Sequence, residues 1–448
     1  MYFIIILAVL IALGTEVSPE AVLEPGYNAA LTLLFTIVVV ALAPVPGIVL
    51  SATVRPERLS DSFTRAHVLK RVRVGSILYQ AYLLASFAVV TYVLDWPVLI
   101  DGTLRMRRWV LIDELLKVLP FLVMLVLAWM PLYRIDRKLR QGTWSLREYI
   151  EFHLRQYVLF VLVPFVALVT VVDVLGLLPW SRTLERMGLD WVVPVAGMAA
   201  VFIFFPHLVR FVWKTRHMEE SPLRTRLVDL CGRAKIACRD ILVWETMGGQ
   251  VVNACVSGIL ASVRYVMVTD ALMESLSQEE IEGVFAHEIG HVRRHHMVYY
   301  GVFILGFVAV LVLMGSTGMF TGKSSGWHAV LSLENLLVVA FVVIYWGVAF
   351  GWVSRRMELE ADLYAVELTG NAGSFANALE RISCFSGRDR TSGSWRHFSI
   401  AKRTGFVLAL DADPARRERF RASMSVLRWG IVAWTLSAAS AAVVVILL

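Results

Sequence analysis

The sequence predicts a polytopic α-helical membrane protein with about eight spans and a mainly helical polar domain gathered at one membrane face. Three observations carry that prediction. The 448 residues are 58% hydrophobic and only 18% charged, against about 25% charged in an ordinary soluble chain. Eight apolar runs approach the ~20 residues that a helix needs to cross hydrocarbon: 28–50, 76–99, 109–133, 156–178, 191–213, 298–320, 328–352 and 427–448. Polar residues collect in two long intervals, 214–297 and 353–426, that flank one pair of spans.

The order of elements follows from these runs. "MYFIIILAVLIALG" at the start is too short for a span and has no preceding Lys or Arg, so it reads as a short extra helix, an interfacial segment or an unusual signal. Residues 15–27 hold three glutamates and no basic residue, whereas 51–75 holds Arg55, Arg58, Arg65, Lys70, Arg71 and Arg73 against Glu57 and Asp61. The positive-inside rule makes 51–75 cytoplasmic, and alternation then puts 134–155, 214–297 and 353–426 on the same side. Arg105, Arg107 and Arg108 in 101–108 run against this alternation. The expected division is a multispan membrane region over 1–213, a polar domain in two parts (214–297 and 353–426), a membrane hairpin over 298–352 with a tight turn at "TGKSSGW" (321–327), and a last span at 427–448. Within the spans, Asp113, Glu114, Lys117 and Asp173 line an interior chamber or mark a headgroup boundary.

A net charge of +7 does not point to nucleic acid, because the basic residues flank spans and no basic-aromatic module is present. Cys231, Cys238, Cys255 and Cys384 form neither a C-x-x-C pair nor a disulfide framework, and read as reduced small hydrophobes.

Chemistry enters with "SLSQEEIEGVFAHEIGHVRRHH", residues 275–296. Ser277 and Glu280 have capping-box spacing, and Ile281, Val284, Phe285 and Ile289 supply an apolar stripe, so a helix starts here. On it His287 and His291 stand at i and i+4, where two imidazoles on one face grip a tetrahedral zinc and Glu288 is placed to act on water. His295 and His296 read as solvated or headgroup-facing. A second histidine-based class is excluded, since Arg294 and Met297 occupy the places of its glycine and third histidine. The third ligand is then a distant carboxylate. "SRRMELEADLYAVEL" (354–368) offers Glu358 and Asp362 at i and i+4, one to bind the metal and the other to orient an imidazole; the alternative is a charged helix face of surface ion pairs.

Together with the intervening membrane hairpin, these two segments resemble the membrane-embedded gluzincin metalloprotease family of CaaX prenyl endopeptidases and HtpX-type proteases. "NACVSG" (253–258), "YVMVTDALMESLSQEEI" (265–281) and "HFSIAKR" (397–403) add to the resemblance, the last with Phe398 where the family has proline. The resemblance covers about 214–425. It implies one zinc ion held by His287, His291 and Glu358, Glu288 as general base, and Asp362 as the group that orients a ligand. It also implies His397 and Arg403 beside the developing oxyanion, and a strand at Asn253 and Ala254 to which an extended peptide adds or which leads only to a turn. More spans precede the motif than an HtpX-type chain has, which leans the architecture toward the prenyl-protease branch without implying prenylated substrates.

The expectation is a mainly helical zinc-metalloprotease domain at the cytoplasmic face of a multi-pass integral membrane protein, hydrolysing membrane-associated or misfolded proteins. Its partners are a protein or peptide substrate and the lipid bilayer, with no nucleic acid. The rival readings are a signalling protease with one dedicated partner and a non-catalytic zinc-binding transporter.

Overall fold

A computed structural model describes residues 1–13, 28–54, 62–106, 111–140, 144–187, 192–246, 251–316, 340–386 and 390–447, with Trp109 and Leu337 besides. It is a polytopic α-helical membrane protein. Among the described residues seven helices are long and apolar enough to cross a bilayer: Ala29–Thr53, His67–Tyr92, Ile112–Leu139, Leu146–Gly176, Val195–Val212, His296–Ser316 and Pro414–Val445. Much of the eighth expected span (328–352), the turn at 321–327 and the acidic stretch 15–27 lie outside the described residues, as do Arg55 and Arg58. The chain forms two compact units, Met1–Lys214 and Thr215–Leu448.

In the first unit, Phe87 of the helix Ser62–Tyr92 packs on Phe121 of the helix Ile112–Arg140, which also buries Met124, Leu125 and Trp129. The first residues form a helix, Tyr2–Leu13, which buries Ile5 and Ala8 against those two helices. Pro46 has no N–H to give the carbonyl four residues back. The Tyr82 hydroxyl donates to that Leu42 carbonyl at 3.4 Å, and Tyr79 donates to the Ala43 carbonyl at 2.9 Å. Asp113 and Lys117 are buried, and Lys117 Nζ lies 2.7 Å from Asp101 and 3.3 Å from Asp113. These charges therefore pair with each other in a buried position, whether they line the bundle interior or mark a headgroup boundary.

The second unit is built on a four-stranded sheet of order β1-β2-β4-β3, with β1 at Thr215–His217, β2 at Asp240–Trp244, β3 at Ala254–Ser257 and β4 at Tyr265–Thr269. β2 and β4 run parallel, while β1 and β3 are antiparallel edges. One face of the sheet carries Ile241, Val243, Val266 and Val268 into a core shared with Ile281, Val284, Phe285 and Ile289 of the motif helix, Gln278–Arg293. That is the apolar stripe read from the sequence, and the capping box between Ser277 and Glu280 is formed at its start.

A second helix, Gly351–Thr369, lies against the motif helix through small residues. A Cβ on Gly290 would stand 3.1 Å from the Ala361 Cα and 3.2 Å from its carbonyl oxygen. Glycine there allows the two backbones to approach closely enough to bring Glu358 to the histidines.

The terminal helix, Pro414–Leu447, packs on the membrane helix His296–Ser316. Thr435 donates to the Val302 carbonyl at 2.9 Å, and Gly306 makes room for Trp434 and Thr435. This contact holds Arg428, near the start of the apolar part of the terminal helix, beside the motif region.

Candidate active site

The motif helix presents His287 and His291 from successive turns, with their Nε2 atoms 3.2 Å apart. Across the helix pair, Glu358 Oε1 lies 3.6 Å from His291 Nε2 and Oε2 lies 3.7 Å from His287 Nε2. Ligands bonded at about 2.0–2.1 Å in a tetrahedron stand about 3.3–3.4 Å from one another, so this triangle of two imidazoles and a carboxylate fits zinc. Among the described residues these three are the group assembled to hold a metal ion. His287 and Glu358 are buried and His291 is half-buried.

Each imidazole has a polar neighbour at its second nitrogen, a close but poorly aligned contact for His287 and a hydrogen bond for His291. His287 Nδ1 lies 2.8 Å from Asp362 Oδ1. Asp362 is fully buried, and Arg403 forks onto it, Nε to Oδ2 at 2.8 Å and Nη2 to Oδ1 at 2.5 Å. Burial raises the Asp362 carboxyl, but the Arg403 guanidinium and the contact with His287 outweigh it and hold the group below its ordinary value. On the other side, His291 Nδ1 lies 2.9 Å from His296 Nδ1. Burial, with His287 beside it, pushes His291 well down, toward the neutral form in which imidazole ligates.

His296 thus corrects the sequence reading of a solvated or headgroup-facing residue: it is fully buried, and its Nε2 lies 3.1 Å from Glu360. Spacing did not reveal it. At about 100° per residue, five positions on an unbroken helix would point His296 about 140° away from His291. His295 has a left-handed backbone, φ +57°, and the break returns His296 to its neighbour.

Glu288 sits beside the triangle on the motif helix and accepts a hydrogen bond from the Val256 N–H of β3. Burial pushes its carboxyl up to about 7, with the Glu358 charge adding to the shift. Asn253 and β4 explain how β3 presents that N–H. The Asn253 carbonyl accepts from Thr269 N–H at 3.0 Å, so main-chain bonds to β4 alternate from there. Ala254 and Val256 consequently turn their main-chain groups away from the sheet, at its edge. Asn253 itself is exposed.

His397 Nδ1 lies 2.9 Å from Glu358 Oε2 on a half-exposed side chain. Its turn does not depend on proline. Ser394 N–H donates to the His397 carbonyl at 2.8 Å, His397 N–H donates to Ser394 Oγ at 3.0 Å, and Phe398 packs under Lys402 Nζ at 3.7 Å. Ser399 then caps the helix Ile400–Ala412, which carries Arg403 inward. The structure therefore gathers His287, His291, Glu288, Glu358, Asp362, His397 and Arg403 into one site, with Asn253 and Ala254 on the adjacent edge strand.

A helical membrane protein with a buried two-histidine, one-glutamate centre and a glutamate beside it is the class that this fold and site define. Comparison with known proteins finds similar chains. Residues 220–425 match the model described as peptidase family M48. The chain is 32% identical over 141 residues to "Protease HtpX homolog" of Bacteroides fragilis, covering 29% of this chain and 44% of that one. It is 29% identical over 193 residues to "Protease HtpX homolog 2" of Methanosarcina mazei, covering 42% and 64%. Thus the chain spans about half the length of the curated relatives it matches. In fold it is similar to the crystal structure of S. mikatae Ste24p, with a TM-score of 0.55 and 18% identity over 89% of this chain and 98% of that one. The membrane-embedded gluzincin resemblance holds for the matched part of the chain, and the match to the solved structure shows a shared fold.

Proposed function

We propose that this chain is a zinc-dependent membrane endopeptidase that hydrolyses peptide bonds of membrane-associated or misfolded proteins. The observation that carries the proposal is the donor triangle of His287, His291 and Glu358 with the Glu288 carboxylate beside it. In this reading 214–297 and 353–426 together make the peptidase domain, 298–352 is a membrane hairpin, and the basic segments flanking the spans favour the cytoplasmic side for the site.

One zinc ion held by the three donors supplies Lewis-acid chemistry, polarising a carbonyl and acidifying water. Glu288 takes a proton from the attacking water and delivers it to the departing amine. Burial makes that carboxyl a ready proton acceptor, and a zinc ion beside it would favour the ionised form that a general base needs. Val256 N–H holds that carboxylate in one orientation.

An extended substrate pairs with the outward main-chain groups of Ala254 and with the Val256 carbonyl, the Val256 N–H being taken by Glu288, and the exposed Asn253 side chain meets the peptide beside them. This pairing lays the scissile bond along the motif helix. His397, half-exposed and on a short turn, is free to swing from Glu358 toward an oxyanion. The double hydrogen bond of Arg403 to Asp362 favours anchoring, with its charge acting on the oxyanion from behind.

The test is metal removal and return. Full-length protein in detergent, stripped by a chelator, should lose cleavage of an unfolded protein substrate and recover it with one equivalent of zinc. Cleavage that persists in the stripped protein would remove the metal from the mechanism.

A further inference from the structure

Why is a second imidazole buried behind one of the two candidate ligands? His296 opens the membrane helix that follows the motif helix, yet it is 0% exposed and both of its nitrogens have partners. Nδ1 lies 2.9 Å from His291 Nδ1, and Nε2 lies 3.1 Å from Glu360 Oε2. The other Glu360 oxygen accepts from Arg428 Nη1 at 2.8 Å, and Arg294 Nε stands 3.9 Å from the same oxygen. Arg428 belongs to the terminal helix.

Proton bookkeeping along this row has one solution once His291 ligates through Nε2. That nitrogen gives its lone pair to the metal, so the neutral ring carries its proton on Nδ1. His291 Nδ1–H therefore donates to His296 Nδ1, which must be the acceptor. The proton of His296 is then on Nε2 and donates to Glu360, whose charge is balanced by Arg428. Each ring nitrogen of His296 then meets a partner of the right kind, while Arg294 Nε, at 3.9 Å, is beyond hydrogen-bond reach of Glu360. Neither nitrogen of His296 is left over to bind a metal itself.

We propose that His296, Glu360 and Arg428 form a positioning relay that fixes the tautomer and ring orientation of His291, so that the terminal membrane helix sets the metal affinity of the site. The proposal rests on the metal centre put forward above. It parallels the other ligand, where His287 leans on Asp362 and Asp362 on Arg403. The two rows differ in origin: Arg403 comes from a helix within the peptidase domain, whereas Arg428 comes from a membrane helix. Any movement of the terminal helix that draws Arg428 from Glu360 frees the ring of His291.

The test uses the full-length protein in detergent. Zinc affinity is measured by chelator competition, and the visible spectrum is recorded on the cobalt-substituted protein. His296→Phe keeps a ring in the cavity but removes both nitrogens, and it should weaken zinc about 10–100-fold and shift the cobalt bands. Arg428→Met, partly exposed and on a different helix, should do the same more weakly and serves if His296→Phe does not fold. The double variant should bind no more weakly than His296→Phe alone, as members of one row require. Wild-type affinity and an unshifted spectrum in both single variants would overturn the relay, and so would fully additive losses. Because the readout is metal binding, a wild type that binds zinc without cleaving any substrate would overturn the endopeptidase reading and leave the relay standing. A wild type that binds no zinc would overturn both.

Discussion

Arg403 and Asp362 meet through two parallel hydrogen bonds, 2.8 and 2.5 Å long, with Asp362 fully buried and Arg403 nearly so. The pair is a brace behind His287. Arg403→Ala leaves a buried carboxylate without its counter-charge, a change that typically costs about 3–5 kcal/mol. It should lower both zinc affinity and thermal stability, whereas Arg403→Lys should retain part of each. Chelator competition and thermal unfolding check this, and loss of turnover with unchanged zinc affinity would move Arg403 to direct contact with the reacting carbonyl.

Glu358 is the acidic member of the donor triangle. Glu358→Ala should remove most of the zinc bound after dialysis, while Glu360→Ala should weaken binding only by about 10–100-fold, as expected for a residue acting through a ligand. Metal content by atomic emission separates the two. Equal loss in both would make Glu360 a ligand.

Gly290 faces Ala361 at a distance that leaves little room for a Cβ. Gly290→Ala should force the motif helix and its neighbour apart and destabilise the domain by about 1–3 kcal/mol, the usual range for overpacking. Zinc affinity should fall with it, since the same separation stretches the triangle. A variant of unchanged melting temperature and zinc affinity would show that the helices have slack.

Asp240, at the start of β2, ties β1 to the helix Pro222–Arg233. Burial raises its carboxyl, but His217 Nδ1 at 2.7 Å, the Ile241 N–H at 2.8 Å and Arg224 at 3.2 Å outweigh burial and hold it below its ordinary value of 3.8. A group depressed on folding contributes stability that is present above its unfolded value and is lost as pH falls through its folded one. Thermal stability should therefore fall off below about pH 4, and Asp240→Asn should flatten that slope. An unchanged slope would assign the acid sensitivity to other carboxylates.

Much of this site could be read from the sequence because its parts follow local rules. The i, i+4 spacing of His287 and His291 and of Glu358 and Asp362, the Ser277–Glu280 cap and the apolar stripe each depend on a single helix. His296 was hidden because its position depends on one left-handed residue, His295. Arg428 was hidden because it lies 68 residues from its partner Glu360, on a helix whose approach is set by packing at Gly306 and Thr435. Arg403 was legible as a member of the site, but its fork onto Asp362 was not, since pairing between charged side chains on separate helices leaves no periodic trace.

The most direct measurement is cleavage of an unfolded protein substrate by the detergent-solubilised full chain, run beside Glu288→Ala at matched zinc content. The wild type should cleave, and the variant should lose about 10²–10⁴-fold or more with zinc retained, because Glu288 moves the proton and does not hold the metal. Equal cleavage by the two proteins would contradict this.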